Sequence, residues 1–328
     1  MDYKVIDVVT ERVSHVQFCA IFFVSAFLLN SNVSIDEADE DGWSSLIHAC
    51  VLGKTQAALA LIESGAELDL KDAEGCTALH HSAREAQADC VKLLVEKGAN
   101  VDAKDSNCWT PFLWACYIGN VDIASELLDH GADVNSRGLH HCTGLVWAAG
   151  KSNLGLVRLL LEAGAKVDTG DKYGTTPLIW VSKNFYTSLS MISTFMFQGC
   201  RKGNPDIVEA LLEAGAQVDS TGMYSWTPLL VAVRGNYPAV VALLLQHGPN
   251  VNAVDQEGLT ALAIACKEGS TDIVFQLIAA GAYVNLQDRG GDTNLILACK
   301  GGHKPIVEAL LKRYADVDTR VSRIIITC

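Results

Sequence analysis

The sequence predicts an all-α solenoid of helix-turn-helix units with β-hairpin-like tips. Three observations predict this fold: a period of about 33 residues, a Thr or Ser that opens an apolar run in every period, and a glycine that follows most second helices. The period is counted from an anchor residue, which lies two positions before this Thr or Ser. The eight anchors are Gly42, Gly75, Cys108, His141, Gly174, Ser225, Gly258 and Gly291. The intervals between anchors are equal, except that the interval from Gly174 to Ser225 is longer.

The first helix of each unit has a recognisable start. Thr-Pro pairs begin at Thr110, Thr176 and Thr227. Threonine caps a helix N-terminus, and proline at the first helical position loses no needed hydrogen bond. The fourth position after the anchor is leucine in seven units and Phe112 in the other. Three positions further on, a small residue lets neighbouring helices approach closely. These small residues are Ala49, Ser82, Ala115, Ala148, Ala232, Ala265 and Ala298.

The second helix of each unit ends in an apolar pair that is followed by a glycine. Only glycine enters the left-handed conformation cheaply, so it ends the helix. The closing glycines are Gly65, Gly98, Gly131, Gly164, Gly215, Gly248 and Gly281, and Tyr314 holds the position in the last unit. This period and composition are typical of ankyrin repeats. We therefore expect an ankyrin-repeat domain over 28–320, a half unit plus eight repeats, and leave the role of 1–27 open.

The long interval contains an excess segment, which we place at 181–198. Its removal restores the register, with Gly199 in the small-residue position, whereas its presence is expected to part Trp180 from the rest of its helix. Val-Ser-Lys at its start can be encoded as a splice donor and Phe-Gln at its end as a splice acceptor. One hypothesis is a translated intron, and the alternative is an ordinary inserted loop. The non-repeat tail 321–328 begins Val-Ser-Arg and has the same two explanations.

Composition excludes several classes of function. A net charge of −13 argues against nucleic-acid binding or anionic-membrane binding by the whole surface. The longest N-terminal apolar region, 16–29, is shorter than the roughly 20 residues that span a bilayer, so no membrane span is expected in this chain. Eleven cysteines without a secretory signal indicate a reducing, cytoplasmic setting. Five of them share the eighth position after the anchor and are expected to be buried: Cys50, Cys116, Cys200, Cys266 and Cys299.

The residues predict no catalytic constellation, metal site or cofactor. No C-x-x-C pair is present, which disfavours zinc. The stretches at 53–55 and 150–152 imitate the end of a phosphate loop but lack the glycine that it requires five residues earlier. We therefore expect a chain that is not an enzyme.

The predicted binding surface is the concave face, which hairpin tips and first helices form. Aromatic residues occur at the tips, and a basic stripe follows the ninth position after the anchor in the second half. The candidate groove residues are Trp43, Trp109, Tyr117, Tyr173, Tyr224, Trp226, Arg201, Lys202, Arg234, Lys267 and Lys300. Aromatic residues beside arginine are typical of recognition hot spots. An acidic or phosphorylated protein segment is the expected ligand, and the alternative is that the lysines only keep the protein soluble. Three further tryptophans, Trp114, Trp147 and Trp180, are expected in the core.

Several stretches resemble one family in more detail. WTPFLWACYIGN, GLVWAAGKSN and AYVNLQDRGGDTNLILACKGGHKPIVEALLKRYADVD are similar to the N-terminal repeats of the ankyrin-repeat-rich membrane-spanning scaffolds, neuronal substrates of protein kinase D. This resemblance implies a truncated, invertebrate member of that family. It also implies a monomeric array that binds signalling receptors or adaptors, including those of neurotrophin and ephrin type, and reaches membranes through its partners. The alternative is a free-standing cytosolic ankyrin inhibitor or adaptor.

Overall fold

The computed structural model describes residues 34–182, 203–313 and 315. In these residues the regular structure is helical, and the predicted all-α repeat architecture is confirmed. The described α-helices, in chain order, are α1 Ser45–Val51, α2 Thr55–Glu63, α3 Ala78–Arg84, α4 Ala88–Glu96, α5 Pro111–Ile118, α6 Val121–Asp129, α7 Gly144–Gly150, α8 Leu154–Glu162, α9 Pro177–Val181, α10 Pro205–Glu213, α11 Pro228–Arg234, α12 Pro238–Gln246, α13 Ala261–Glu268, α14 Thr271–Ala279, α15 Asn294–Lys300 and α16 Lys304–Leu311. None of these helices is long and apolar enough to cross a bilayer.

The chain divides into two larger compact units, Met1–Leu139 and His140–Cys328, and each contains several repeats. From here on, 'unit' means one of these two parts, and a single helix pair with its tip is called a repeat. In the first unit, α1, α3 and α5 pack as a row of first helices beside a row of second helices, α2, α4 and α6. The second unit repeats this arrangement, with α7, α9, α11, α13 and α15 in one row and α8, α10, α12, α14 and α16 in the other. Each helix packs on its pair and on its row neighbours, so each unit has a nearest-neighbour core. All seven predicted small residues are buried in these rows.

The helices begin and end as the sequence predicts. Thr110 Oγ1 accepts a hydrogen bond from the backbone N–H of Leu113 at 3.2 Å, and a proline follows at the first helical position. The caps at Thr176 and Thr227 have the same form. All seven closing glycines have positive φ, between 68° and 94°. A Cβ built on any of the seven would meet no atom within 4 Å. Backbone conformation, and not crowding, therefore favours glycine at these positions.

An aspartate three residues before the anchor stabilises most tips. Oδ1 of Asp105, for example, accepts the backbone N–H groups of Asn107 and Trp109 at 2.8 and 2.9 Å. Isolated antiparallel bridges close three tips, at Ala38–Ser44, Val254–Thr260 and Gln287–Thr293, which matches the expected hairpin-like form. Where glycine replaces the aspartate, at Gly138 and Gly222, the tip instead contains a 3-10 turn with two non-glycine residues at positive φ.

The helix before the excess segment does not stop at Trp180. Helix α9 continues through Val181, and Ser182 Oγ donates a hydrogen bond to the carbonyl oxygen of Leu178 at 2.8 Å. Both residues are buried and occupy the positions that we assigned to Gly199 and to Cys200. Valine and serine are small enough to continue the helix at these positions, and the bounds 181–198 of the excess stay a prediction. Gly199, Cys200 and the rest of 183–202 lie outside the described residues, as do 1–33, Tyr314 and 316–328.

Within each unit, a ladder of side-chain to backbone hydrogen bonds links successive tip loops. Asp69 Oδ1 accepts the backbone N–H of Asn100, 31 residues later, at 3.0 Å. The corresponding bond that crosses the excess joins Asp168 to the N–H of Gln217, 49 residues later, at 3.0 Å. The second separation exceeds the first by the length of the predicted excess segment, 181–198. The repeat register therefore resumes after the excess, within the second unit.

Candidate functional site

The tip of the third repeat, in the first unit, carries a compact aromatic cluster. The Trp109 ring lies 4.7 Å from the Trp114 ring and 5.3 Å from the Tyr117 ring, measured between centroids. Trp109 is only 6% exposed, so the expectation of an accessible tryptophan at this position is corrected. Its neighbours in the cluster cover it, and Asp105 fixes its backbone. Tyr117 and Trp114 are both half-buried. Trp114 is therefore more exposed than we expected, because the sequence predicted it in the core.

In several tips, a side-chain ring nitrogen forms a hydrogen bond with the second carboxylate oxygen of the tip aspartate. Trp114 Nε1 donates to Asp105 Oδ2 at 3.2 Å, and Trp180 Nε1 donates to Asp171 Oδ2 at 3.3 Å. The interacting side chains are nine residues apart in each case. Trp180 is half-buried, whereas Trp147 is buried as expected. The sequence reasoning missed this bond, although the constant spacing of aspartate and ring could have revealed it.

Asp72, Cys76 and His81 form a buried group whose ligand-type atoms lie within 4.8 Å of one another. His81 Nε2 lies 2.7 Å from Asp72 Oδ2, and its Nδ1 lies 3.0 Å from Nη2 of Arg84. Burial, together with the neighbouring carboxylate of Asp72, raises the pKa of the Cys76 thiol to about 12. Trp114 makes the same bond with its aspartate in the next repeat, and indole cannot bind a metal. We therefore interpret the contact between His81 and Asp72 as one more case of the hydrogen bond between a tip aspartate and a ring nitrogen that recurs along the repeats.

The basic stripe of the second unit is partly neutralised. Arg234 Nη2 lies 3.0 Å from Oδ2 of Asp255, whose side chain is 2% exposed. Lys300 pairs with Asp292. Lys267 is exposed, and its ammonium has no ion pair among the described residues. The sequence reasoning missed both carboxylates, although Asp255 lies at the tip-aspartate position of the following repeat. The other members of the predicted stripe, Arg201 and Lys202, lie outside the described residues.

Aromatic side chains flank this stripe at the tip of the sixth repeat. The Tyr224 ring lies 5.6 Å from the Trp226 ring, and the guanidinium of Arg234 lies 5.2 Å from the centroid of Trp226. Tyr224 is 39% exposed and has a φ of 63°, which is unusual for a bulky residue. The structure thus brings together three of the predicted groove residues in one cluster: Tyr224, Trp226 and Arg234.

The two remaining predicted aromatic residues lie at other tips. Tyr173 is exposed, and the ammonium of Lys172 lies 4.8 Å from its ring centroid. Trp43 is half-buried and packs edge-on against His81 at 4.8 Å between ring centroids. Tyr173 therefore offers more accessible surface than Trp43.

The shared cysteine position is buried in three repeats and exposed in one. Cys50, Cys116 and Cys266 are fully buried, whereas Cys299 is exposed, which corrects the prediction for that residue. Cys299 lies on α15, the last first helix, and among the described residues no helix follows α16 that could cover it. Burial raises the pKa of the Cys266 thiol to about 12. Cys200 lies outside the described residues.

Comparison with known proteins gives one family match. The family model for ankyrin repeats, described as three copies, matches residues 18–105, 58–138, 103–171, 182–255 and 248–321. Together these segments cover well over half of the chain. A search of curated proteins found no match.

Proposed function

This chain belongs to the ankyrin-repeat family, and from that premise we propose that it is a scaffold whose tips and first helices bind partner proteins. Ankyrin repeats are protein–protein interaction modules, and proteins of this kind are typically not enzymes. The observation that carries the proposal is the surface of the second unit, where Tyr224, Trp226 and Arg234 cluster and Lys267 is exposed one repeat further on. Exposed aromatic residues beside arginine are typical of recognition hot spots.

The partner in this proposal presents an acidic or phosphorylated segment to the first helices of the second unit. Support comes from the positions of Arg234, Lys267 and Lys300, which recur once per repeat along one row of helices. Arg234 and Lys300 are paired with carboxylates, so among the described residues of the stripe the positive charge of Lys267 is the one that no ion pair offsets. We therefore assign the long-range attraction of an acidic partner mainly to Lys267.

Cross-linking mass spectrometry of the full chain with partners captured from cells tests the proposed function. We expect lysine-reactive cross-links to partner proteins at Lys267 and Lys300, on first helices. Cross-links confined to Lys304 and Lys312, on and after the last second helix, would contradict the proposed surface. Lys267→Glu is expected to weaken partner capture, whereas Lys304→Glu, the matched charge reversal on α16, is expected to leave it unchanged. Arg234 is unsuitable for reversal because a glutamate there would face the buried carboxylate of Asp255.

The cellular role in this proposal is receptor signalling at membranes. The resemblance to membrane-spanning ankyrin scaffolds supports it, and partners rather than this chain would supply the membrane attachment. A tagged chain expressed in cells is expected to be cytosolic alone and to move to the membrane fraction with the intracellular part of a neurotrophin or ephrin receptor. Persistent cytosolic distribution with every such receptor would favour the free-standing adaptor.

A further inference from the structure

We propose that Arg234 binds a carboxylate group of a partner protein, an aspartate or glutamate side chain, through the Nε edge of its guanidinium. This inference rests on the proposed function and names the chemical group that its central cluster recognises. It narrows an acidic or phosphorylated ligand to a carboxylate ligand.

Contacts on two sides fix the guanidinium of Arg234 before any partner arrives. Its Nη2 lies 3.0 Å from Asp255 Oδ2, and its Cζ lies 5.2 Å from the Trp226 ring centroid. Asp255 is itself held rigidly, because its Oδ1 accepts the backbone N–H groups of Glu257 and Leu259, both at 2.9 Å. An arginine fixed in this way loses little rotamer freedom when it binds a ligand.

Arg84, in the first unit, occupies the same position nine residues after its anchor and shows what the remaining edge can hold. Its guanidinium lies 5.7 Å from the Trp114 ring centroid. Its Nη2 lies 3.0 Å from His81 Nδ1, and His81 in turn bonds the buried Asp72. Arg84 and Arg234 therefore share a nearby tryptophan ring and a link through Nη2 to a buried tip aspartate.

The two arginines differ in what contacts Nε. At Arg84, Nε donates to Glu85 Oε1 at 3.2 Å. The residue that follows Arg234 is Gly235, which has no side chain to supply a carboxylate. Among the described residues, the structure records no hydrogen bond from Nε of Arg234. A carboxylate from a partner can therefore take the place at Arg234 that Glu85 takes at Arg84.

Charge favours a carboxylate over a phosphate at this edge. A phosphate dianion costs more to desolvate than a carboxylate, and Asp255 leaves little net positive charge at Arg234 to offset that cost. A planar carboxylate needs only the fork of N–H groups that the arginine presents, and such bonds are strong because both groups are charged. The exposed ring of Tyr224 next to Trp226 adds apolar surface for the side chain that carries the carboxylate.

Fluorescence polarisation at low ionic strength tests the proposal with the full chain and synthetic peptides. The probe is a fluorescein-labelled Gly/Ser peptide with three glutamates, and matched peptides carry three glutamines or three phosphoserines. Arg234→Lys keeps a positive charge beside Asp255 but removes the planar fork. Arg158→Lys is the matched control, because Arg158 is an exposed arginine on the second helix α8 of the same unit. Circular dichroism melting curves show whether each variant folds.

We expect the glutamate peptide to bind, the glutamine peptide not to bind, and Arg234→Lys to weaken binding roughly tenfold. Arg158→Lys should have no effect, and the phosphoserine peptide should bind no more tightly than the glutamate peptide. A second measurement is the Nε–H resonance of Arg234 in a nitrogen-15 spectrum, which should shift when the glutamate peptide is added. An unshifted resonance, an unaffected Arg234→Lys variant or tighter phosphoserine binding that depends on Arg234 would overturn the proposal.

The outcomes also separate this inference from the proposed function. If partner cross-links still map to Lys267 and Lys300 while Arg234→Lys changes nothing, the carboxylate assignment is wrong and the scaffold function stands. If no partner cross-links to the first helices of the second unit, the scaffold function is itself wrong for this surface.

Discussion

Single residues at one repeat position have different environments because their neighbours differ. Trp43, Trp109 and Trp226 all follow their anchors by one residue, yet Trp109 is buried and the other two are half-buried. The period predicts the backbone position of each side chain. It does not predict that Trp114 and Tyr117 cover Trp109, because their rings come from a different turn of the same repeat. Which side chains of the candidate site are accessible to a partner could therefore be learned only from the structure.

A prediction at this scale concerns the pH dependence of unfolding of the first unit. Burial lowers the pKa of His81 and of His80, because the charged ring is poorly solvated there. The unfolded chain then takes up protons first, so stability is full above the ordinary histidine pKa of about 6.5 and is lost as the pH falls below it. We expect His81→Gln to make the free energy of unfolding less sensitive to pH between about 7 and 5.

Urea unfolding, followed by circular dichroism at several pH values, measures this effect. Glutamine keeps an N–H donor for Asp72, so the variant should remain folded. His247→Gln is the control, because His247 is exposed to solvent in the second unit. Identical pH dependence for His81→Gln and the wild-type chain would show that His81 does not contribute.

At the scale of helices, local signals determine where a helix starts and ends. Placing the excess segment instead requires a comparison between repeats that lie far apart in the sequence. Threonine caps and closing glycines act within one turn of the chain, so the sequence alone predicts them. Repeat alignment compares positions across repeats and cannot tell which of two candidate residues fills a position next to the excess. Val181 and Ser182 fill it because they follow Trp180 directly in the helix. The exposure of Cys299 was not predicted for a similar reason, because burial at its position depends on a helix from another repeat.

A prediction at this scale tests the closing glycines through Gly131. Its φ is 90°, and a Cβ there would meet nothing within 4 Å. Gly131→Ala should therefore lower the free energy of unfolding by roughly 1–2 kcal/mol, from backbone conformation alone. Gly131→Asn should cost less, because asparagine adopts left-handed conformations more readily. Equal losses for alanine and asparagine, measured by urea unfolding, would point to packing instead.

At the scale of the whole molecule, stability is a sum over neighbouring repeats within each compact unit. First helices contact first helices, second helices contact second helices, and the ladder from Asp69 to Asn100 repeats along the loops. Such arrays have no single central core, so damage to one repeat is felt most by the repeats beside it. The sequence predicted this organisation from its period, but it did not predict the division after Leu139.

The last prediction follows from this division. Phe112 is fully buried in the first unit, and Leu262 is fully buried at the same repeat position in the second. Phe112→Ala should cost about 3–5 kcal/mol and Leu262→Ala about 2–5 kcal/mol, because each leaves a cavity between stacked helices. Hydrogen exchange with mass spectrometry should show lost protection mainly in 34–139 for Phe112→Ala and mainly in 203–313 for Leu262→Ala. If either variant lowered protection equally in both ranges, the chain would unfold as one cooperative block, and the nearest-neighbour account of its stability would be wrong.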